Sequence, residues 1–281
     1  MRYRFLRFPG FKTKAFTTSF DDGSVDDIRL VEIFNRYGIK GTFNISSARF
    51  SDKPEDFPRA LTREEAMGIF IPHGHEVAVH GLRHISPYQS APPVMIRELL
   101  EDRIGLEKMY DRLVQGLAFP DDGRTSPEIQ SRLKDLGFHY CRCLSTDPSF
   151  ELPVNWLELR PTTKFNHPEA ISLLDKFLEM PILDKYISQR ASKWYYVWGH
   201  SHELRGQDNW YLIDEMGKRV QNHPDVWLAT NGEIYDYVHA YKSLQFSADD
   251  SFCYNPTHYT LYLEVDKENI VIGPGETYHF Q

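Results

Sequence analysis

The sequence predicts an α/β fold organised around a parallel sheet, open or closed into a barrel, and two observations carry that prediction. Short apolar runs alternate with amphipathic helical stretches from residue 15 to residue 244, the pattern of strand–helix–strand units. Residues able to bind a metal or move a proton fall repeatedly where the predicted strands end, the face on which parallel α/β folds build their sites.

The first predicted strand is Ala15–Phe20 (AFTTSF), closed by Asp21-Asp22-Gly23. A helix follows, with Ile28, Val31, Phe34 and Tyr37 at i+3 steps and a stop at Gly38. Gly41–Ser46 (GTFNIS) and Glu76–His80 (EVAVH) are the next strands, and the segment from Asn44 to Arg63 reads as the longest loop. Pro92–Val114 is the longest helix, with Ile96, Leu99, Leu106, Tyr110 and Leu113 near one face. Leu117–Pro120 is a short strand, and Ser126-Pro127-Glu128 opens a helix with a capping hydroxyl, a first-turn proline and a carboxylate suited to the helix dipole. Lys193–Ser201 (KWYYVWGHS) and Val226–Asn231 (VWLATN) are late strands. A helix from about Asn209 lies between them, and another after them carries Ile234, Tyr237, Val238, Tyr241 and Leu244 in phase. From Gln245 the texture changes to short runs, Thr260–Val265 and Ile270–Ile272, separated by Asn-Pro, Asp-Lys-Glu-Asn and Gly-Pro-Gly. The expected organisation is a main unit over residues 1–244 and a small antiparallel β extension over 245–281, too small to fold alone.

Composition narrows the function classes. The 281 residues are 41% hydrophobic and 26% charged, which excludes a disordered chain. The net charge is −8, without a Lys/Arg stripe, so nucleic acid is not an expected partner. The longest apolar runs are a few residues, so neither a bilayer-spanning helix nor a membrane partner is expected. Met1–Gly10 is basic but lacks the apolar stretch of a secretory signal; a cytoplasmic location is expected, or a secreted one if a leader has been removed. Three cysteines, Cys141, Cys143 and Cys253, are too few and too odd for a disulfide framework. Cys141 and Cys143 read as strand residues rather than half a metal site. His73 and His75 read as loop residues, and composition leaves the oligomeric state open.

The chemistry lies elsewhere. His80 and His84 have the His-x-x-x-His spacing that lets two imidazoles share an ion, and an Asp22 carboxylate would complete two histidines and one acid with positions left for water and substrate. That donor set suits Zn²⁺, or Co, Ni or Mn, acting as a Lewis acid in hydrolysis. Of the adjacent acids Asp21 and Asp22, one can bind the ion while the other takes a proton from water; the plain alternative is that Asp-Asp-Gly is only a turn. His202 shares the face of His200 in an extended chain, Asn231 ends the last predicted strand, and Trp198 is one of four tryptophans of which one at most would stack on a sugar.

Ser19-Phe20-Asp21-Asp22-Gly23, His80-Gly-Leu-Arg-His84, Ala118-Phe-Pro-Asp-Asp-Gly123 and Trp198-Gly-His200, in that order, resemble the motifs of the polysaccharide deacetylases, the NodB-like carbohydrate esterases. The resemblance covers residues 10 to 240, and the late stretch Trp198–Glu203 with Ala229–Tyr237 resembles a bacterial subgroup with a short C-terminal β extension. It implies a distorted (β/α) barrel of about seven strands and hydrolytic removal of an N-acetyl, sometimes O-acetyl, group from an amino sugar. It also implies roles: Asp21 as general base, Asp22, His80 and His84 as ligands of a divalent metal ion, His200 as general acid, and a backbone N–H at Asp121 as oxyanion donor. Asp121, Trp198, His202 and Asn231 complete the expected substrate-facing set.

The sequence departs from the family in its third motif, where an Arg and a Tyr commonly stand at the positions of Ala118 and Asp121. Arg124, Arg142 and Arg160, near the motifs in sequence, are the candidates to substitute for that arginine beside Asp21. Two other readings compete. One keeps the chemistry and changes the substrate to a small non-sugar amide or cyclic imide; the other is a carbohydrate-binding protein that has lost catalysis.

Overall fold

A computed structural model gives the structure and describes residues 2–51, 59–181 and 190–280. Its elements, in order, are β1 (Arg4–Arg7), β2 (Lys14–Asp21), α1 (Asp27–Tyr37), β3 (Gly41–Ile45), α2 (Arg63–Ile69), β4 (Glu76–Val79), α3 (Pro92–Tyr110) and β5 (Gly116–Ala118). There follow α4 (Pro127–Asp135), β6 (Tyr140–Arg142), β7 (Thr163–Lys164), α5 (Ala170–Glu179), β8 (Lys193–Gly199), α6 (Ser201–Gly206), α7 (Tyr211–Val220), β9 (Val226–Leu228) and α8 (Asn231–Lys242). The chain closes with five short strands, β10 (Gln245–Phe246), β11 (Phe252–Tyr254), β12 (Leu261–Val265), β13 (Glu268–Ile272) and β14 (Thr277–His279).

Strands pair in the order β6-β5-β4-β3-β2-β8-β7, with β9 also on β2, and every pairing is parallel. β8 runs along Lys14–Phe20 of β2, while Thr18–Asp21 takes β3 and Lys14–Phe16 takes β9. The sheet is thus a distorted, incompletely closed barrel whose ends, β6 and β7, flank a seam narrowed by a parallel bridge between Arg142 and Leu159.

The two-residue period of the strands divides the molecule into two cores. Phe16 and Phe20 of β2, Phe43 of β3, and Tyr195 and Val197 of β8 face outward and pack under the helices with Leu30, Phe34, Leu99 and Leu106. Ala15, Tyr140, Trp194 and Tyr196 face the barrel interior and pack with Tyr237 of α8 and with Leu261, Leu263, Ile270 and Ile272 of the C-terminal strands. The extension therefore plugs the barrel from below. The basic N-terminal segment enters it too: β1 pairs antiparallel with β12, Arg4 opposite Val265 and Arg7 opposite Tyr262. A second small sheet, β10-β11-β14, completes the region.

Differences from the sequence reading have physical causes. α3 stops at Tyr110 because Asp111 turns left-handed (φ 50°), leaving Leu113 73% exposed rather than on the buried face. The strand expected to reach Ser201 ends at Gly199, and the six-residue α6 begins at once. Asn44 lies in β3 and Arg63 begins α2, so the loop is shorter than expected, and its residues 52–58 lie outside the described residues. His75 lies in the connection before β4, as expected, but is buried there: it is 3% exposed and its Nδ1 accepts the Gly41 N–H at 3.0 Å.

Candidate active site

The site forms at the C-terminal mouth of the barrel, around the ends of β2, β4, β6 and β8. Asp21 is the last residue of β2, points inward by the strand's alternation, and is 2% exposed. The chain must then turn sharply, and it does so through two left-handed residues, Asp22 (φ 80°) and Gly23 (φ 63°). Asp22 is tied down by its own N–H, which donates to Asn44 O at 3.0 Å. Its side chain swings away from Asp21 and toward the end of β4.

There it meets two histidines. His80, immediately after β4, donates Nδ1–H to Ala118 O at 3.0 Å, since a carbonyl can only accept. That leaves Nε2 bare, 3.7 Å from Asp22 Oδ1. His84, brought back by a turn closed by His84 N–H to Gly81 O at 3.2 Å, sets its Nε2 3.4 Å from the same oxygen. The three donor atoms lie within 4.8 Å of one another. Asp22 Oδ1 is sealed from solvent and has no hydrogen-bond donor among the described residues, with Arg49 Nη1 3.8 Å away as an ion-pair partner, and burial drives His80 down to about 4 despite the pull of Asp21 and Asp22, which leaves an uncharged ring at neutral pH. An orphaned carboxylate oxygen facing two imidazoles with free lone pairs fits a divalent transition-metal ion. The support behind His80 is also built: Asp102 of α3, 0% exposed, accepts the His80 N–H at 3.1 Å and the Ser47 N–H at 2.5 Å.

Asp21 is held from two sides. Asn44 Nδ2 donates to Oδ1 at 2.8 Å, and Arg142 Nη2 donates to Oδ2 at 2.5 Å. Arg142 is 0% exposed and stands between Cys141 and Cys143 on β6; alternation turns the arginine into the barrel and both thiols into the outer core. Burial alone would push the Asp21 carboxyl up. Arg142, the His80 and His200 rings and Asn44 outweigh it and hold the group below the ordinary carboxylate value. Of the three arginines considered for this place, Arg142 occupies it; Arg124 pairs with Asp122 (3.1 Å) and Arg160 with Glu158.

His200 follows β8 and closes the site from the other side. Its Nε2 lies 3.8 Å from Asp21 Oδ2 and 3.9 Å from Asp22 Oδ2, while Nδ1 faces Glu203 Oε1 at 3.6 Å. Lys164 of β7 donates to that Glu203 oxygen at 2.7 Å. Burial would lower His200; Glu203, Asp21 and Asp22 outweigh it and raise the imidazole above its usual value. Glu203 in turn, although burial opposes it, is held at about 2 by His200 and Lys164.

The remaining expected residues scatter. Asp121 is exposed and left-handed (φ 61°) in the loop after β5, beside Asp122, which is fixed by Ser86 Oγ and Gln89 Nε2, each donating at 3.0 Å. His202 is exposed, its ring 5.2 Å from that of His200. Trp198 is 7% exposed, its ring between Arg142 Cζ (4.7 Å) and Lys164 Nζ (5.3 Å), so it backs the site as a buried support. Asn231 stands apart. It is 0% exposed, accepts from Thr17 Oγ1 at 3.2 Å and donates to Tyr196 Oη at 2.8 Å. Thr17 precedes Asp21 by four strand positions, about 13 Å at the usual rise. Asn44, Glu203 and Lys164 belong to the cluster although the sequence reading gave them no role; only the i,i+3 spacing of His200 and Glu203 could have hinted at one.

No curated protein matches the chain in sequence. Among solved structures, a Mycobacterium smegmatis protein assigned to the polysaccharide deacetylases is 17% identical, with 84% of this chain and 94% of that one covered and a TM-score of 0.60. PuuE allantoinase is 15% identical over 83% of this chain and 92% of its own, also at 0.60. A family 4 acetyl xylan esterase from Clostridium thermocellum, solved with a cobalt ion, is 14% identical over 79% and 90%, at 0.52. These likenesses establish the fold. The family model for polysaccharide deacetylases matches residues 10–141, a segment holding Asp21, Asp22, Asn44, His80, His84 and Asp121.

Proposed function

We propose that the protein is a metal-dependent hydrolase that removes an acetyl group from the nitrogen, or an oxygen, of an amino-sugar-containing substrate. The observation that carries this reading is the convergence, within one barrel mouth, of a buried Asp21 clamped by Arg142 and held below the ordinary carboxylate value, the donor set Asp22–His80–His84, and His200, its pKa raised, on the far side. Asp22, His80 and His84 would hold a divalent ion, zinc or cobalt, nickel or manganese, which would supply Lewis acidity there. Asp21, kept below the usual carboxylate pKa, accepts the proton of the attacking water as its oxygen bonds to the carbonyl carbon. Arg142 and Asn44 hold Asp21 through that transfer and bear its charge beforehand. The resemblance assigns a backbone N–H at Asp121, in the loop after β5, the role of donor to the developing oxyanion. His200, primed by Glu203, delivers its proton to the leaving nitrogen as the C–N bond breaks, releasing acetate and the free amine.

The test is acetate release from N-acetylglucosamine oligomers by metal-stripped protein, with and without added Zn²⁺ or Co²⁺. Acetate that requires metal and disappears in Asp21→Asn while that variant still binds metal is the expected result. No acetate from any oligomer, with metal bound, overturns the sugar assignment. A second reading follows from PuuE allantoinase sharing this fold at a TM-score of 0.60: the same chemistry on a small cyclic amide. Turnover of allantoin-like amides in place of sugar oligomers would select it. The lost-catalysis reading requires no turnover of either class in metal-loaded protein.

A further inference from the structure

The loop after β5 holds Asp121, yet it lacks the side chains that commonly stand at its motif positions. Its own hydrogen bonds show what fixes it in this chain. At its start, Ala118 O accepts the Nδ1–H of His80 at 3.0 Å. Further on stands Asp122, a half-buried carboxyl next to Asp121. Its Oδ1 accepts from Ser86 Oγ at 3.0 Å and from the Arg124 N–H at 3.2 Å. Its Oδ2 accepts from Gln89 Nε2 at 3.0 Å and from Arg124 Nε at 3.2 Å. Each oxygen thus takes one donor from the loop that follows His84 and one from its own loop. Between the two ties the chain turns tightly, with Asp121 and Gly123 both left-handed (φ 61° each) and the Gly123 N–H donating to Pro120 O at 3.4 Å. A Cβ on Gly123 would stand 2.8 Å from Leu144 N, so the backbone after β6 supports the turn from behind.

We propose that Asp122 is a positioning residue for the reaction: by bridging the loop after β5 to the loop after β4, it sets the Asp121 N–H at a fixed place relative to His80 and His84. The inference rests on the hydrolase reading and on the oxyanion role of Asp121. A left-handed residue such as Asp121 is held by its surroundings rather than by backbone preference, so its N–H points where the ties on either side direct it. The bridge is strong for its size, because hydrogen bonds to an ionised carboxylate exceed those between neutral groups. Burial opposes ionisation of Asp122, but Gln89, the Arg124 N–H, Ser86 and the Arg124 charge outweigh it and hold the group below the ordinary carboxylate value. The histidines have ties of their own: the His84 N–H donates to Gly81 O, and the His80 N–H to Asp102. Loosening the bridge therefore shifts the N–H of Asp121 and leaves the ligand set in place.

Three variants test this in acetate release from N-acetylglucosamine oligomers, bound metal and amide hydrogen exchange. Asp122→Ala cuts the bridge at its centre, the Ser86→Ala/Gln89→Ala pair cuts it on the β4 side, and Arg124→Gln leaves it standing. The first two are expected to lose about 10²-fold in kcat, the scale of a group misplaced by about 1 Å, with KM and bound metal unchanged. Combined, they are expected to cost no more than either alone, and Arg124→Gln retains most of kcat. Affinity for a methylphosphonamidate analogue of N-acetylglucosamine, tetrahedral where the carbonyl carbon would stand, falls by the same factor, while affinity for acetate does not change. Exchange over residues 119–124 quickens in both bridge variants and not in Arg124→Gln. Unchanged kcat, losses that add, metal lost together with activity, or analogue and acetate weakened alike would each overturn the proposal. If wild-type protein releases no acetate, the functional reading has failed, and exchange alone decides the bridge: quickening over 119–124 in both variants upholds it, and unchanged exchange removes it. Should Asp122→Ala not fold, the Ser86→Ala/Gln89→Ala pair carries the same test.

Discussion

The two walls of the barrel mouth are built by different means. On the β2–β4 wall, Asp21, Asp22, His80 and His84 stand at strand ends, and the turns that aim them are local: a left-handed Asp22-Gly23 step and the Gly81–His84 turn. On the β6–β8 wall, the groups that set the charge come from far along the chain. Arg142 reaches Asp21 across 121 positions and Lys164 reaches Glu203 across 39. The family-matched segment, residues 10–141, stops one residue short of Arg142. One wall therefore supplies the donors as short motifs, and the other supplies their electrostatic setting as tertiary structure.

The contrast can be broken most sharply at the ligand wall. His80→Ala is expected to abolish tight metal binding and turnover together, as metal analysis and acetate release would show. Asp21→Asn is expected to keep the metal and lose about 10²–10⁴-fold in kcat, the usual worth of a general base. Near-normal turnover in Asp21→Asn would assign the base elsewhere. On the other wall, Arg142→Met leaves Asp21 buried and unpaired, so the expected cost is about 3–5 kcal/mol of stability, read from urea midpoints, beside a fall in kcat. A variant that loses activity but no stability would show that Asp21 has other sufficient partners. Glu203→Gln is expected to act more mildly, lowering kcat by about tenfold with KM and metal content unchanged, a part of what a general acid contributes.

The smallest effect belongs to His75, beneath the ligand wall. Burial, with His73 and Lys40 nearby, lowers its pKa from 6.5 to about 4 in the folded protein. Between those values the unfolded chain binds a proton that the folded chain does not, so this contribution to stability is complete above about pH 6.5 and declines as pH falls toward 4. At about 1.4 kcal/mol per unit, the full loss is about 3 kcal/mol. Denaturation midpoints at pH 7 and pH 5 for wild type and His75→Gln measure it: the wild type is expected to lose more.

What the sequence disclosed follows the same division. Asp22, His80 and His84 were readable because strand ends and the His-x-x-x-His spacing are local patterns. The helix from Asp27 to Tyr37 was readable from its i+3 apolar face and Gly38 stop. Arg142 could be narrowed only to one of three arginines, because two-residue alternation says which face a strand residue takes but not which strand lies opposite. Asn44, Glu203 and Lys164 had no local mark; Asn44 reads as an ordinary strand residue and Lys164 sits on a two-residue strand. α6 is too short to show a period. β1, Arg-Phe-Leu-Arg, resembles a basic start until its partner strand is known, and Asn231, placed by the sequence at a strand end, begins α8 inside the barrel.

The pairing of β1 with β12 has a consequence for how the molecule is made. Residues 4–7 are made before every other strand of the barrel, yet the strand they join spans 261–265. A contact closed over so long a stretch of chain raises contact order and comes late in folding. The barrel strands can assemble during synthesis, N-terminal parts first, while the opening segment waits with Leu6 and Phe8, later 8% and 0% exposed, in water. Completion of the lower core is thus deferred until β12 and β13 have been made, so the barrel floor is sealed only after the barrel strands themselves.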